Sequence, residues 1–171
     1  AIIITTNAGL WRYKIGDTVR FTCIDPYRIK VTGRTKHFIN VFGEELIIEN
    51  TDKALKNVSK KIGCEIIDYT VAPIFMKSKQ KGAHEWLIEF KTAPKDINYF
   101  TELLDNALKA LNSDYEAKRY NNITLNRPKI NVAQPQQFHN WLKSKNKLGG
   151  QHKVPRLSNS RELLEELMKL G

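Results

Sequence analysis

Three short stretches of the chain hold residues that could do chemistry. The first is Tyr13-Lys14-Ile15-Gly16-Asp17, inside the run Trp11 to Phe21. A single carboxylate on a tight turn can accept two charge-assisted hydrogen bonds from the vicinal hydroxyls of a ribose. Gly-Asp is also an ordinary turn pair, so Asp17 can close a hairpin and do nothing more. The second is Gly33-Arg34. An arginine at the junction of two sequence patterns can contact a phosphate or a ribose. It can equally be one more solvated charge. The third runs from Leu148 to Arg156 and reads LGGQHKVPR. Gly149 and Gly150 make it pliable, and Pro155 stiffens its far end. Lys153, between them, could enter a site when the loop docks. The same composition also suits a plain linker to the last helix.

Other chemistries lack their residues. No serine or cysteine sits in a nucleophilic arrangement, no paired carboxylates are evident, and no Walker-type phosphate loop is present. His37, His84, His139 and His152 lack metal-ligand spacing. Cys23 and Cys64 lie in apolar strand contexts and read as buried free thiols, which fits a reducing, cytoplasmic setting. The longest apolar runs are a few residues, too short for a transmembrane helix. The N-terminus also lacks the pattern of a secretory signal. The net charge of +10 favours polyanions in general, so a nucleic-acid-binding module is one reading. The basic residues cluster at Lys56 to Lys61, Lys77 to Lys81 and Lys143 to Lys147. They do not interleave with aromatics in a recognisable nucleic-acid signature, and solvated faces account for them.

The elements that must position these residues fall into two regimes. Residues 1 to 33 read as short β-strands: Val19, Phe21 and Cys23 alternate with polar residues, as do Ile29 and Val31. So small a sheet must lean on something else. After Gly33 to Lys36 the pattern changes. A short strand Phe38 to Phe42, ended by Gly43, precedes a helix from Ile48 to Lys61. Two strands, Ile66 to Phe75 and His84 to Lys91, should pair antiparallel around a basic, mobile loop from Met76 to Gly82. Asp96 caps a helix whose stripe is Phe100, Leu103, Leu104, Ala107, Leu108 and Leu111. Asp114 to Tyr120 adds a short helical turn, and Lys129 to Ala133 a third strand. Pro135 opens a helix with Phe138, Trp141 and Leu142 inward. Ser160 caps the last helix, which buries Leu163, Leu164, Leu167 and Met168. Mixed elements with a hairpin connection define an α+β domain from about residue 35 to the end.

The three stretches occur in a known order. Gly9-Leu10-Trp11-Arg12-Tyr13-Lys14-Ile15-Gly16-Asp17 resembles the third nucleotide-binding motif of the acyl-acid amido synthetases of the auxin-responsive Gretchen Hagen family. Trp11 and Lys14 stand where that motif usually has Tyr and Arg. Val41-Phe42-Gly43-Glu44-Glu45-Leu46 is similar to bacterial members, as is Gln151-His152-Lys153-Val154-Pro155-Arg156. The resemblance spans essentially the whole chain. It places the chain in the adenylate-forming superfamily, with acyl-CoA ligases, luciferases and peptide-synthetase adenylation domains.

The resemblance implies that residues 1–34 end a large N-terminal adenylation domain and that residues 35–171 are the small mobile C-terminal domain. The hinge would lie near Arg34 to Lys36. Asp17 would hold the ribose hydroxyls, Tyr13 would border the adenine or α-phosphate, and Arg34 would contact the nucleotide. Lys153 would be the catalytic lysine of adenylation. The substrates implied are ATP with Mg²⁺, a carboxylic acid and an amine, and the cation and nucleotide need the N-terminal part. A chain that starts at Ala1 in a β-like run also reads as a fragment, inactive alone, whose partner is its own N-terminal domain. The alternative of a non-catalytic regulatory domain with the same fold stays open, and Lys14 in place of Arg leaves room for it.

Overall fold

The computed structural model describes residues 1–34, 38–76, 80–122, 124–149 and 152–171. Its first part is two antiparallel pairs. β1 (Ile3–Ile4) pairs with β2 (Tyr13–Lys14), and β3 (Asp17–Ile24) pairs with β4 (Tyr27–Arg34). The alternation of the longer pair is real: Val19 faces Val31 and Phe21 faces Ile29 across the ladder. Burial does not follow. Phe21 and Val31 are each 59% exposed and Ile29 is exposed too, so much of the apolar face of β3–β4 is open to solvent, with Val19 and Cys23 half-buried. Cys23 is half-buried rather than buried, whereas Cys64 is buried as expected.

β5 (Phe38–Ile39) is shorter than the expected strand to Phe42. The chain turns at Val41–Gly43 instead, because the Glu44 carboxylate draws in the Phe42 N–H at 2.7 Å and Gly43 accepts a φ of 79°. β6 (Leu46–Ile47) then returns along β5, a strand too short to read from periodicity. α1 (Ile48–Ile62) follows and ends on Gly63 in the left-handed conformation.

β7 (Glu65–Ile74) and β8 (Ala83–Thr92) pair antiparallel as expected. Lys77 to Lys79 of the basic loop between them lie outside the described residues. α2 (Ile97–Leu111) has the anticipated cap, with Asp96 accepting from Asn98 N and Tyr99 N. Phe100, Leu104 and Leu108 of its stripe are buried. α3 (Ser113–Arg119) is capped by Asn112. β9 (Lys129–Val132) adds to β8 in parallel, giving the sheet order β7-β8-β9.

α4 (Gln137–Ser144) starts two residues after Pro135. Pro135 and Gln136 make a turn, and Glu89 on β8 receives Gln136 N at 2.7 Å, which fixes the entry from outside the helix. α5 (Glu162–Met168) is not capped by Ser160. Arg161 stands at its start and ties it to the sheet through Glu85 and the Pro73 carbonyl. Leu164 and Leu167 are buried, but Met168 is 39% exposed.

Both faces of the larger sheet are covered. Tyr69, Val71, Trp86 and Ile88 pack with α1 and α2 in one core. Ala72 and Leu87 point the other way and pack with Phe138, Trp141, Leu164 and Leu167 of α4 and α5. β8 lies between two neighbours and two helical layers, so even its polar residues His84, Glu85 and Glu89 are buried.

Candidate functional site

Asp17 occupies a junction. β2 ends at Lys14, and Gly16 turns the backbone at φ 87°, a conformation that a residue with a Cβ rarely adopts. Asp17 then opens β3, half-buried, and its carbonyl accepts from Ile2 N at 3.0 Å. That bond stitches the first sheet to the second. Across the ladder from Asp17 stands Arg34, the last residue of β4. The structure therefore brings Asp17 and Arg34, 17 positions apart in sequence, into one cross-strand pair. One rung in, the hydroxyls of Thr18 and Thr32 bond at 3.1 Å. Tyr13 lies on β2 with its side chain 53% exposed. An aspartate paired across a ladder with an arginine supplies the two residue types that grip vicinal hydroxyls and meet a phosphate. The segment proposed as a hinge runs on from Arg34 into residues 35 to 37, outside the described residues.

Lys153 lies outside any strand, on the segment that goes on to run beside β7. Its side chain is exposed, and the next residue, Val154, is buried in the core beneath α4 and α5. From there the chain runs beside β7. Thr70 Oγ1 donates to the Pro155 carbonyl at 2.8 Å, Val71 N to the Arg156 carbonyl at 2.9 Å, and Ser158 N to the Val71 carbonyl at 3.1 Å. Leu157 and Val71 form a parallel bridge. The expected pliable linker is thus pinned from Val154 onward, and the exposed stretch ends at Lys153. Gly150 and Gln151 lie outside the described residues.

Arg156 is held from several sides. Its Nη1 reaches both oxygens of Asp52 on α1, at 2.7 and 2.8 Å, and its guanidinium lies 5.1 Å from the Tyr69 ring centre. Tyr69 OH donates to Asp52 at 2.6 Å. Burial first, and then the Asp52 bond, hold the Tyr69 phenol far above its ordinary range, so it stays a donor. Asp68, next along β7, is pushed up by burial. The Tyr69 N–H and the Arg156 charge oppose that shift without cancelling it, and Lys153 acts in the same direction as they do. The sequence reading missed Asp52, Asp68 and Tyr69, which lie scattered among ordinary helix and strand positions. Their only signal was the arginine that ends the KVPR run.

The Val41–Leu46 stretch is structural. Glu44 is fully buried and meets His84 Nε2 at 2.8 Å. Among the described residues no three His, Cys, Asp or Glu side chains gather as a cation site. No helix among them is long and apolar enough to cross a membrane.

A mixed α+β domain with small sheets and five helices among its described residues is also found in solved acyl acid amido synthetases. The GH3.15 acyl acid amido synthetase superposes with a TM-score of 0.75 at 20% sequence identity, covering 98% of this chain and 32% of that one. The AtGH3.15 acyl acid amido synthetase in complex with 2,4-DB gives 0.72 at 21%, with the same coverage. The chain thus spans about a third of the length of the structures it matches. No curated protein sequence matches it. The GH3 family C-terminal domain matches residues 49–162, and the GH3 family central domain matches residues 1–34. The chain belongs to the GH3 family.

Proposed function

We propose that the chain is the C-terminal part of an ATP-dependent acyl-acid amido synthetase, of the bacterial type that its Val41–Leu46 motif resembles. Family membership carries this reading. The exposed Phe21, Ile29 and Val31 of β3–β4 support it, because a two-stranded sheet needs cover and a large N-terminal domain would supply it. Residues 1–34 are then the end of that domain and residues 35–171 the mobile one, hinged near Arg34 to Lys36.

The reaction has two steps. A carboxylate attacks the α-phosphorus of ATP, giving an acyl-adenylate and pyrophosphate. An amine then displaces AMP to form the amide. Asp17 accepts the ribose hydroxyls, Tyr13 borders the adenine or α-phosphate, and Arg34 contacts the nucleotide. The Lys153 ammonium offsets the charge that builds on the phosphoryl oxygens during attack. Mg²⁺, when bound with the phosphates in the N-terminal part, would supply charge neutralisation for the pyrophosphate. The small domain turns between the steps, a hinge motion. The partners are the acid, the amine and the N-terminal domain, in the cytoplasm.

In the intact synthetase, Lys153→Ala is expected to slow adenylate formation about 10²-fold and to spare aminolysis of a preformed adenylate. The purified chain alone is expected to release no pyrophosphate from ATP. Unchanged adenylation in the variant removes Lys153 from the mechanism, and robust turnover by the chain alone defeats the fragment reading.

A further inference from the structure

The distance along the chain from Lys153 to its first buried neighbour is one residue. Val154 is 3% exposed, Pro155 and Arg156 give their carbonyls to Thr70 and Val71, and Arg156 is clamped by Asp52. Two residues beyond the Leu157 bridge, the Asn159 amide grips one edge of β5 and the residue after it, accepting from Asn40 N at 3.0 Å and donating to the Phe38 carbonyl at 2.9 Å. So the segment that carries Lys153 is fixed to α1, to the edge of β7 and to β5. A side chain so close to its anchor cannot be delivered by a loose loop. It moves when the whole domain moves.

We infer that Asp52, Arg156 and Tyr69 form a positioning clamp that sets where the Lys153 ammonium arrives during adenylation. This rests on the functional reading above and deepens it. None of the three need touch the nucleotide. The clamp is layered: the Arg156 guanidinium lies over the Tyr69 ring, and that ring stacks on Trp86 at 5.6 Å in the core. Asp52 joins the layers by receiving both Arg156 and the Tyr69 hydroxyl. A planar fork suits this geometry, and a lysine in place of Arg156 would keep the charge while losing the two-oxygen grip and the stack. Small displacements of a reacting group are costly: about 1 Å of misplacement can lower a rate about 10²-fold. The clamp therefore matters for the step that needs Lys153 and not for the step that does not.

The experiment uses the intact synthetase and a double-mutant cycle. Asp52→Asn, Arg156→Lys, Lys153→Ala and Asp52→Asn/Lys153→Ala are compared in two assays: ATP–pyrophosphate exchange for adenylation and AMP release from preformed acyl-adenylate for aminolysis. Asp52→Asn is expected to slow exchange about tenfold, and Arg156→Lys by a similar or smaller factor, with aminolysis unchanged. The double variant is expected to be no slower than Lys153→Ala alone, since a positioning group acts only through the lysine it positions. Normal exchange in Asp52→Asn, or losses that multiply in the double variant, or an equal loss of aminolysis, would overturn the clamp while the functional reading stands. Normal exchange in Lys153→Ala would instead remove the reading on which the clamp rests. Thermal melting of each variant shows whether the fold survives, and Arg156→Lys, the milder change, keeps the question decidable if Asp52→Asn does not fold.

Discussion

Glu44 and His84 meet at 2.8 Å with neither side chain reached by solvent. One Glu44 oxygen takes the Phe42 N–H and the other faces His84 Nε2. Burial alone would push the Glu44 carboxyl up, but the His84 bond and charge, with the backbone bonds, outweigh it and hold the carboxyl below its usual range. An ionised carboxylate can only accept, so the imidazole proton belongs on Nε2. The turn after β5 is thus tied to the start of β8 by one buried polar pair.

Removing one member should be expensive. Glu44→Ala is expected to lower the unfolding free energy by about 1–3 kcal/mol for each buried donor it leaves without an acceptor, His84 Nε2 and the Phe42 N–H. The acid limb follows with a defined sign. Glu44, Glu85 and Asp105 all have carboxyls held low on balance: burial lifts each, and its hydrogen-bonded partners more than reverse the lift. For Glu85 those partners are Lys129, Arg161 and Asn131, and for Asp105 they are Arg119, Lys109 and Tyr115. A carboxyl lowered in the folded state stabilises it above the unfolded pKa, and that stability is lost as pH falls through the folded value. The melting temperature should therefore fall below about pH 4, where free carboxyls ordinarily titrate. Asp68, raised by burial, contributes with the opposite sign. Thermal melts between neutral and acid pH, followed by circular dichroism, check both points; a flat profile contradicts the pairing.

Gly82 is needed for space. A Cβ there would run into the ring of Phe42, which is itself buried. The backbone cannot retreat, since the Gly82 carbonyl accepts from Asn126 N at 2.8 Å and Gly82 bridges Leu125. Gly82→Ala is expected to destabilise the fold by about 1–3 kcal/mol. Phe42→Leu should recover part of that loss in the double variant, a coupling that urea denaturation can measure. Simple additivity would show that the ring has room.

Asp17→Ala in the intact synthetase should raise KM for ATP about 10- to 10²-fold, the weight of charge-assisted hydrogen bonds to the ribose. The β3–β4 ladder should persist, because the Asp17 carbonyl and the Thr18–Thr32 bond do not depend on its side chain. Initial rates at varied ATP test this, and an unchanged KM assigns Asp17 to the turn alone.

Much of the fold was legible because it is local. The α2 stripe and its Asp96 cap depend on residues three and four apart, and the β7–β8 pair on alternation along adjacent strands. The order of the three motif stretches was likewise visible, and it led to the family. Other features were not local and could not be read. The start of α4 is set by Glu89, 47 positions away, and the start of α5 by the grip of Arg161 on Glu85, 76 positions away. Pro135 and Ser160 looked sufficient only while those partners were out of view. The alternation of β3 and β4 fixed which residues share a face but not whether that face is covered, which depends on what packs against it. Local sequence was enough to locate α1, α2 and the main hairpin and to single out Tyr13, Asp17, Arg34 and Lys153 as candidates. Only the tertiary structure decided that Asp17 and Arg34 are cross-strand partners and that the chain beyond Lys153 is anchored, since Asp52 and Arg156 are 104 residues apart and meet only when α1 and the edge of β7 have packed.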